Sequence, residues 1–394
     1  MSNACETALG LPAVQALFSE HGLVLAMLEF EAELARAQAQ LGMVKPEHAA
    51  VIAACCQSTQ WSDTQCRELI ARSAMAGSLA IPMLESLKAR VAERDAAAVQ
   101  AVHVGATSQD VIDTAVVLQT RRALQTMQAD LGQAIQALEN LIHAHGAVPV
   151  LARTLMQPAS VVSFSHRCLS WLMPLRRCAE QLRQQAHEAL RVQLGGAVGS
   201  QAALGAQAPA LVQALSAHWD LQPGGGSWHT QRDAWVRLAS ECAVLCGALG
   251  KIGRDLALLS QAEVGEVLEG DAPGRGGSSA MPHKRNPVGA MVAIAAAQRA
   301  PHRMAAILSC MPQEQERSLG LWQAELAEWC GLMDLTAGAL SAVAHTLPTL
   351  QIHQDRMALN LLAVPGMSAQ QAQQLAAASH ERVLKQIEPT SVKR

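Results

Sequence analysis

From Val111 to His145 the chain carries no proline and a single glycine, Gly132. Leu118, Leu124, Met127, Leu131, Ile135, Leu138 and Ile142 follow one another there by steps of three, four and six. That spacing keeps them on one side of an α-helix and predicts a helix much longer than the globular average. Further helical runs are predicted over Pro158–Val192, with Pro174 as a kink point, and over Thr230–Val267. Two more cover Pro287–Leu308, with a bend at Pro301, and Leu321–Leu340. A long helix is stable in water only when its apolar stripe meets another. The chain therefore reads as an all-α bundle, with strand residues confined to a few loop positions.

The first part obeys the same rule on a smaller scale. In residues 12–42, Met27, Phe30, Leu34, Ala37 and Leu41 step by three and four, and Gly42 ends the run. Glu29, Glu31 and Glu33 then fall on other faces of that helix. Shorter helices follow to about Ala101. The stretch AMVAIAAAQRA offers so little polar face that burial inside an oligomer is expected.

Composition removes several classes of function. Thirty basic and 33 acidic residues leave a formal charge of −3, no footprint for nucleic acid or an anionic membrane. No apolar run reaches the roughly 18 residues of a membrane span. The start MSNACETALG lacks the basic and apolar regions of a secretory signal, so a cytoplasmic enzyme is expected. Ten cysteines include no C-x-x-C pair, and several sit in apolar helical stretches such as ECAVLCGAL. They read as small buried hydrophobes in a reducing compartment. No H-E-x-x-H, no Cys/His cluster and no dinucleotide-binding glycine motif occurs, so neither metal nor cofactor is expected.

Three polar interruptions separate the long runs, at 103–110, 193–200 and 274–286. In the first, Thr107 or Ser108 is placed to cap the following helix, with Asp110 near its start. The same amides and hydroxyls suit a carboxylate or phosphate. In the third, GRGGSSAMPHKRNPVG, the glycines form a hinge carrying Ser278 and Ser279. Asn286 and Pro287 start a helix, and Lys284 and Arg285 stand at its positive end, where like charge calls for an anion. A hydroxyl on a loop that closes beside fixed cations can act as a base. A glycine-serine linker accounts for the first half of this stretch but not for MPHKRNP.

GSSAMPHKRNP (277–287) resembles the signature of the fumarase/aspartase superfamily. HVGATSQDVIDTA (103–115), ARTLMQPA (152–159) and QLGGAVGS (193–200) resemble its other shared regions, in the same order. The resemblance spans about residues 15 to 345. It implies a three-domain all-α fold whose central long helices form a homotetramer core, with active sites assembled from three subunits. The implied division is an N-terminal helical domain over 1–102 and a central bundle over 103–345 carrying the loop 274–287. A C-terminal helical domain over 346–394, shorter than in relatives, completes it. The implied chemistry is proton transfer α to a carboxylate through an aci-carboxylate intermediate. By motif position, Ser278 matches the loop base. Lys284 and Asn286 match the carboxylate-binding pair, and Thr107 and Ser108 match further anion-binding residues.

Two departures narrow the resemblance. Where most superfamily lyases carry a histidine and a partner glutamate, this chain has Leu155 and Met291. That pattern, with WHTQRD at 228–233 and PQEQERSLGLWQAE at 312–325, resembles the 3-carboxy-cis,cis-muconate cycloisomerase branch. The activity implied is lactone closure on a tricarboxylate in protocatechuate catabolism. Leu155 departs from that branch too, where the position is often aromatic. Arg317 is a candidate substrate cation or, alternatively, the partner of Glu314 in a surface ion pair. His103 matches a substrate-contacting histidine, able to act as an acid or to be structural. Gln157 and Gln231 are candidate polar lining, or structural hydrogen-bonding groups. An adenylosuccinate-type lyase and an inactive structural relative are the alternatives.

Overall fold

The computed structural model describes residues 4–270, 276–277, 281 and 284–388. Short helices come first: α1 (Ala4–Thr7), α2 (Pro12–Leu17), α3 (Glu20–Gln40), α4 (Pro46–Cys55), α5 (Asp63–Ala76) and α6 (Ala80–Arg94). The long helix α7 covers Ser108–His145, followed by the hairpin strands β1 (Pro149–Thr154) and β2 (Gln157–Ser163). Then come α8 (Phe164–Ala189), α9 (Ala208–Trp219), α10 (Asp233–Leu259), β3 (Val267–Leu268), α11 (Val288–Ser309) and α12 (Leu321–Thr346). Strand β4 (Gln351–Ile352), α13 (Gln354–Asn360) and α14 (Ala369–Ile387) complete the described chain. The expected all-α class holds, and α7, α11 and α12 fall where the apolar spacing places them.

Two expectations needed correction. The run expected to be helical from Pro158 opens as strand. β2 pairs antiparallel with β1, and helix begins only at Phe164. Ser163 marks the switch: its hydroxyl accepts from the His166 N–H at 3.2 Å, in the manner of an N-cap. The run expected to reach Val267 stops at Leu259, and Val267–Leu268 pairs with Gln351–Ile352 instead.

The described residues group into two compact units. Unit 1 takes the chain up to Thr126, Leu182–Cys242 and His302–Asp334. Unit 2 takes Met127–Gln181, Ala243–Pro301 and the chain from Leu335. Helices α7, α8, α10, α11 and α12 each give residues to both.

In unit 1, α10 and α12 meet through Trp235 and Trp329, stacked at 3.7 Å between ring centroids. The Trp329 indole N–H donates to the Thr120 hydroxyl of α7 at 2.8 Å. A buried charge cluster ties the same helices. Arg232 meets Asp113 at 3.1 Å and also bonds Glu325. Burial opposes charge on Arg232, but Asp113 and Glu325 outweigh it and push its pKa up. Burial pushes the Glu325 carboxyl up against the pull of Arg232. In unit 2, α10 and α11 approach closely through small residues. A Cβ at Gly250 would lie 2.2 Å from the Ala297 Cβ, and Ala290, Ala293, Ala296 and Ala300 are fully buried. The alanine run thus serves helix packing within one chain.

None of the nine described cysteine thiols is in a disulfide. Burial pushes the thiols of Cys246 and Cys330 up to about 11 and about 12, which makes them inert at neutral pH. Among the described residues, no helix is long and apolar enough to cross a membrane.

Candidate active site

Unit 1 brings together three of the expected residues. Helix α7 opens at Ser108. The Arg317 guanidinium donates to the Thr107 hydroxyl at 2.8 Å and to the Ser108 hydroxyl at 3.2 Å. Each hydroxyl accepts from arginine and keeps its own O–H to donate. A carboxylate at this helix start would meet two hydroxyl donors backed by a guanidinium and by the positive end of the helix dipole. The Arg317–Glu314 pairing is not what forms. The Glu314 carboxylate accepts from the Ser318 hydroxyl at 2.8 Å and the Leu319 N–H at 3.2 Å. A hydrogen bond from its own backbone N–H, with those two, holds its carboxyl below the usual range.

Asp110 supplies the rigid floor. Its carboxylate accepts from the N–H groups of Thr107, Gly195 and Gly196, at 2.9, 2.8 and 2.8 Å, and bonds the His229 Nε2 at 2.8 Å. The Thr107 contact is the carboxylate half of a capping box. The glycine segment at 193–200 is therefore pinned to the start of α7. Gly196 has φ 73, and a Cβ there would come within 3.0 Å of the Gly105 carbonyl oxygen, so a side chain is excluded twice over. Behind Asp110, Gln109 donates to Asp113 at 3.2 Å, and Gln193 accepts from the Trp228 N–H at 2.9 Å. The WHTQRD segment thus sends His229 and Arg232 inward. Gln231 stays exposed and donates to the Ser227 carbonyl at 3.1 Å.

His103 precedes this helix start by five residues and is largely buried. Its Nδ1 lies 2.7 Å from the Oε1 of Glu31 on α3. Sequence periodicity placed Glu31 and Glu33 away from the apolar stripe, yet both are buried. Helix α3 is enclosed on nearly all sides, so its charged residues survive only through partners. Glu31 is the residue that the sequence reading missed, and its signal was weak: a carboxylate inside a helix otherwise rich in buried apolar positions.

Unit 2 holds the remaining described candidates. Gln157 is exposed at the tip of the β1–β2 hairpin, paired with Thr154. The two loop residues, Leu155 and Met156, have φ of 49 and 66, as in a type I′ turn. Leu155 is 96 % exposed, and Met291, on α11, is 58 % exposed. The two apolar replacements noted in the sequence are therefore surface groups of this chain.

The described residues at the two ends of the signature segment meet. The Asn286 N–H donates to the Gly276 carbonyl at 2.8 Å, and Gly277 bridges to Arg285. Lys284 is exposed. The anion expected at the start of α11 is supplied in part from within: the N–H groups of Gly289 and Ala290 donate to Glu269 at 3.0 and 2.9 Å. Ser278 lies outside the described residues. A cavity of about 940 Å³ elsewhere in unit 1, bordered by Glu29, Glu33, Arg36, Arg122 and His218, includes none of the candidates.

A family model described as lyase matches residues 10–301. The chain belongs to the lyase family. It is 42 % identical to the 3-carboxy-cis,cis-muconate cycloisomerase of Pseudomonas aeruginosa, over 93 % of this chain and 79 % of that one. The nitrosuccinate lyase of Streptomyces davaonensis is 38 % identical over 88 % of this chain and 74 % of its own length. The crystal structure of the 3-carboxy-cis,cis-muconate lactonizing enzyme from Pseudomonas putida superposes with a TM-score of 0.84 at 36 % identity. It covers 98 % of this chain and 88 % of that one. The fold of this lyase is thus the fumarase/aspartase type that its motifs resemble.

Proposed function

We propose that this lyase-family chain closes 3-carboxy-cis,cis-muconate to 4-carboxymuconolactone, a step of protocatechuate breakdown. The observation that carries the reading is the Arg317 guanidinium seated on the Thr107 and Ser108 hydroxyls, in a chain so similar to named cycloisomerases. A tricarboxylate needs such groups at more than one place, and Lys284 and Asn286 are the second carboxylate clamp. Gln157 lines the site. The working enzyme is a cytoplasmic homotetramer in which three subunits contribute to each site, built on the three-domain division of the family.

In the lactone-forming direction one substrate carboxylate oxygen adds to an alkene carbon. The new C–O bond forms as the π pair moves to the neighbouring carbon, which is α to another carboxylate. That carboxylate takes up the charge as an aci-carboxylate. The Ser278 hydroxyl then delivers a proton to the α carbon; in reverse its alkoxide removes it. Cations and hydroxyl donors that bind the more highly charged intermediate better than the substrate lower the barrier.

The test is loss of diene absorbance when purified protein meets 3-carboxy-cis,cis-muconate, with adenylosuccinate as control. Turnover of the muconate alone is expected. Folded protein that leaves the muconate intact would overturn the reading. Ser278→Ala is expected to lower kcat by roughly 10²- to 10⁴-fold; full activity would remove Ser278 from the mechanism.

A further inference from the structure

Unit 1 holds a histidine–glutamate pair whose carboxylate is fully buried. Glu31 sits on α3 between Phe30 and Ala32, and its side chain is 1 % exposed. Its Oε1 meets the His103 Nδ1 at 2.7 Å, and its Oε2 is buried with no hydrogen-bond donor among the described residues. A carboxylate buried this deeply is expensive unless its partner offsets the charge. The imidazole hydrogen-bonds it and offsets the charge when protonated.

The surroundings are built to hold the contact. Gln38 lies seven residues after Glu31, two turns along the same face of α3. It is fully buried, and its Nε2 donates to the Val104 carbonyl at 2.8 Å. The two polar groups on this face thus grip consecutive residues, His103 and Val104. His103 itself has φ 65, a left-handed conformation costly for a residue with a side chain. The backbone is bent, and the bend is held, so that the ring meets Glu31.

The chemistry of this contact has one consequence. An ionised carboxylate can only accept, so Nδ1 carries the hydrogen. Nε2 is then the ring nitrogen left for an external partner. The ring is 15 % exposed, enough for such a partner to reach it. When Nε2 is protonated the Glu31–His103 pair is neutral overall, so an imidazolium can stand beside a substrate anion without leaving a lone buried cation.

We propose that Glu31 is a positioning residue. It locks His103 in the Nδ1–H form and presents Nε2 as a donor to the substrate carboxylate on which charge accumulates. It rests on the cycloisomerase reading for the identity of the substrate.

The experiment has a spectroscopic arm and a kinetic arm. Protein labelled with ¹⁵N-histidine reports the tautomer of the neutral His103 ring without substrate, the resonance being assigned by its loss in His103→Asn. The Nδ1–H tautomer is expected in the wild type, and a mixture in Glu31→Gln. With 3-carboxy-cis,cis-muconate, Glu31→Gln is expected to lower kcat by about 10- to 100-fold with KM within about twofold. In a His103→Asn background the same change should cost nothing more. An Nε2–H tautomer in the wild type overturns the proposal, even if Glu31→Gln fails to fold. So does a folded Glu31→Gln with wild-type kcat, or an undiminished loss in the His103→Asn background. Failure of the cycloisomerase reading has a different mark: no muconate turnover in the wild type while the ring stays in the Nδ1–H form.

Discussion

Two of the histidine–carboxylate pairs in unit 1, Asp110–His229 and Glu31–His103, have opposite surroundings. Asp110 is fully buried and its carboxylate is saturated: three backbone N–H groups and His229 fill it. Glu31 is equally buried, but one oxygen meets only His103 and the other meets no donor. The histidines differ in the same sense. His229 is 2 % exposed, uses Nε2 for its aspartate, and buries Nδ1 without a partner among the described residues. His103 uses Nδ1 for its glutamate and is 15 % exposed. A carboxylate filled by amides is a clamp, here pinning the glycine segment to the start of α7. A carboxylate spent on one partly exposed imidazole acts on that imidazole.

Breaking the clamp should have the largest effect on stability. Asp110→Ala strands four donors in the interior, each costing about 1–3 kcal/mol when left unpaired. A loss on the order of 4 kcal/mol or more is expected in urea unfolding, with activity lost in parallel. A loss below about 1 kcal/mol would mean that Asp110 is no clamp. His229→Leu should cost less, about 1–2 kcal/mol, because Asp110 keeps its three amides and the unpartnered Nδ1 goes too. Its kcat should stay within about threefold of wild type, since such a change acts on stability. A collapse of kcat at unchanged stability would move His229 into the chemistry and erase the contrast between the pairs. Gln38→Leu should be smallest, near 1 kcal/mol or less. It leaves the Val104 carbonyl without its donor but also removes a buried amide oxygen that lacks one. Its informative readout is the His103 tautomer, which should survive if Glu31 alone sets it.

The hairpin offers a separate check on strain. Leu155 and Met156 both occupy the left-handed region, where a residue with a side chain loses roughly 1–2 kcal/mol. Leu155→Asn with Met156→Gly, the sequence that type I′ turns favour, should therefore raise the midpoint of thermal unfolding. An unchanged or lowered midpoint would show that the tip carries no such strain.

Much of this molecule was legible before folding. The steps of three and four over Val111–His145 placed α7 to within a few residues, because a helix repeats its own short-range rule. The polar interruptions at 103–110 and 274–286 stood out for the same reason, as failures of that rule. The strand over Gln157–Ser163 was not legible: its residues join a helical pattern without a break, and only pairing with β1 makes them extended. Glu269 at the start of α11 was equally hidden, since nothing local marks it as the acceptor for Gly289 and Ala290.

The candidate site divides along the same line. Helix-start chemistry singled out Thr107 and Ser108; the family resemblance added His103 and offered Arg317 as a candidate substrate cation. That the Arg317 guanidinium rests on those two hydroxyls depends on chain more than 200 positions away. Glu31 shows the limit most clearly. Amphipathic spacing sends a glutamate to water, and the rule fails when a partner 72 positions later meets it inside. The sequence alone determined the helices, their breaks and the chemical groups carried at each break, because those follow from neighbours along the chain. Tertiary structure decided which carboxylate faces which histidine, because a hydrogen bond between distant residues exists only once the helices bearing them have packed.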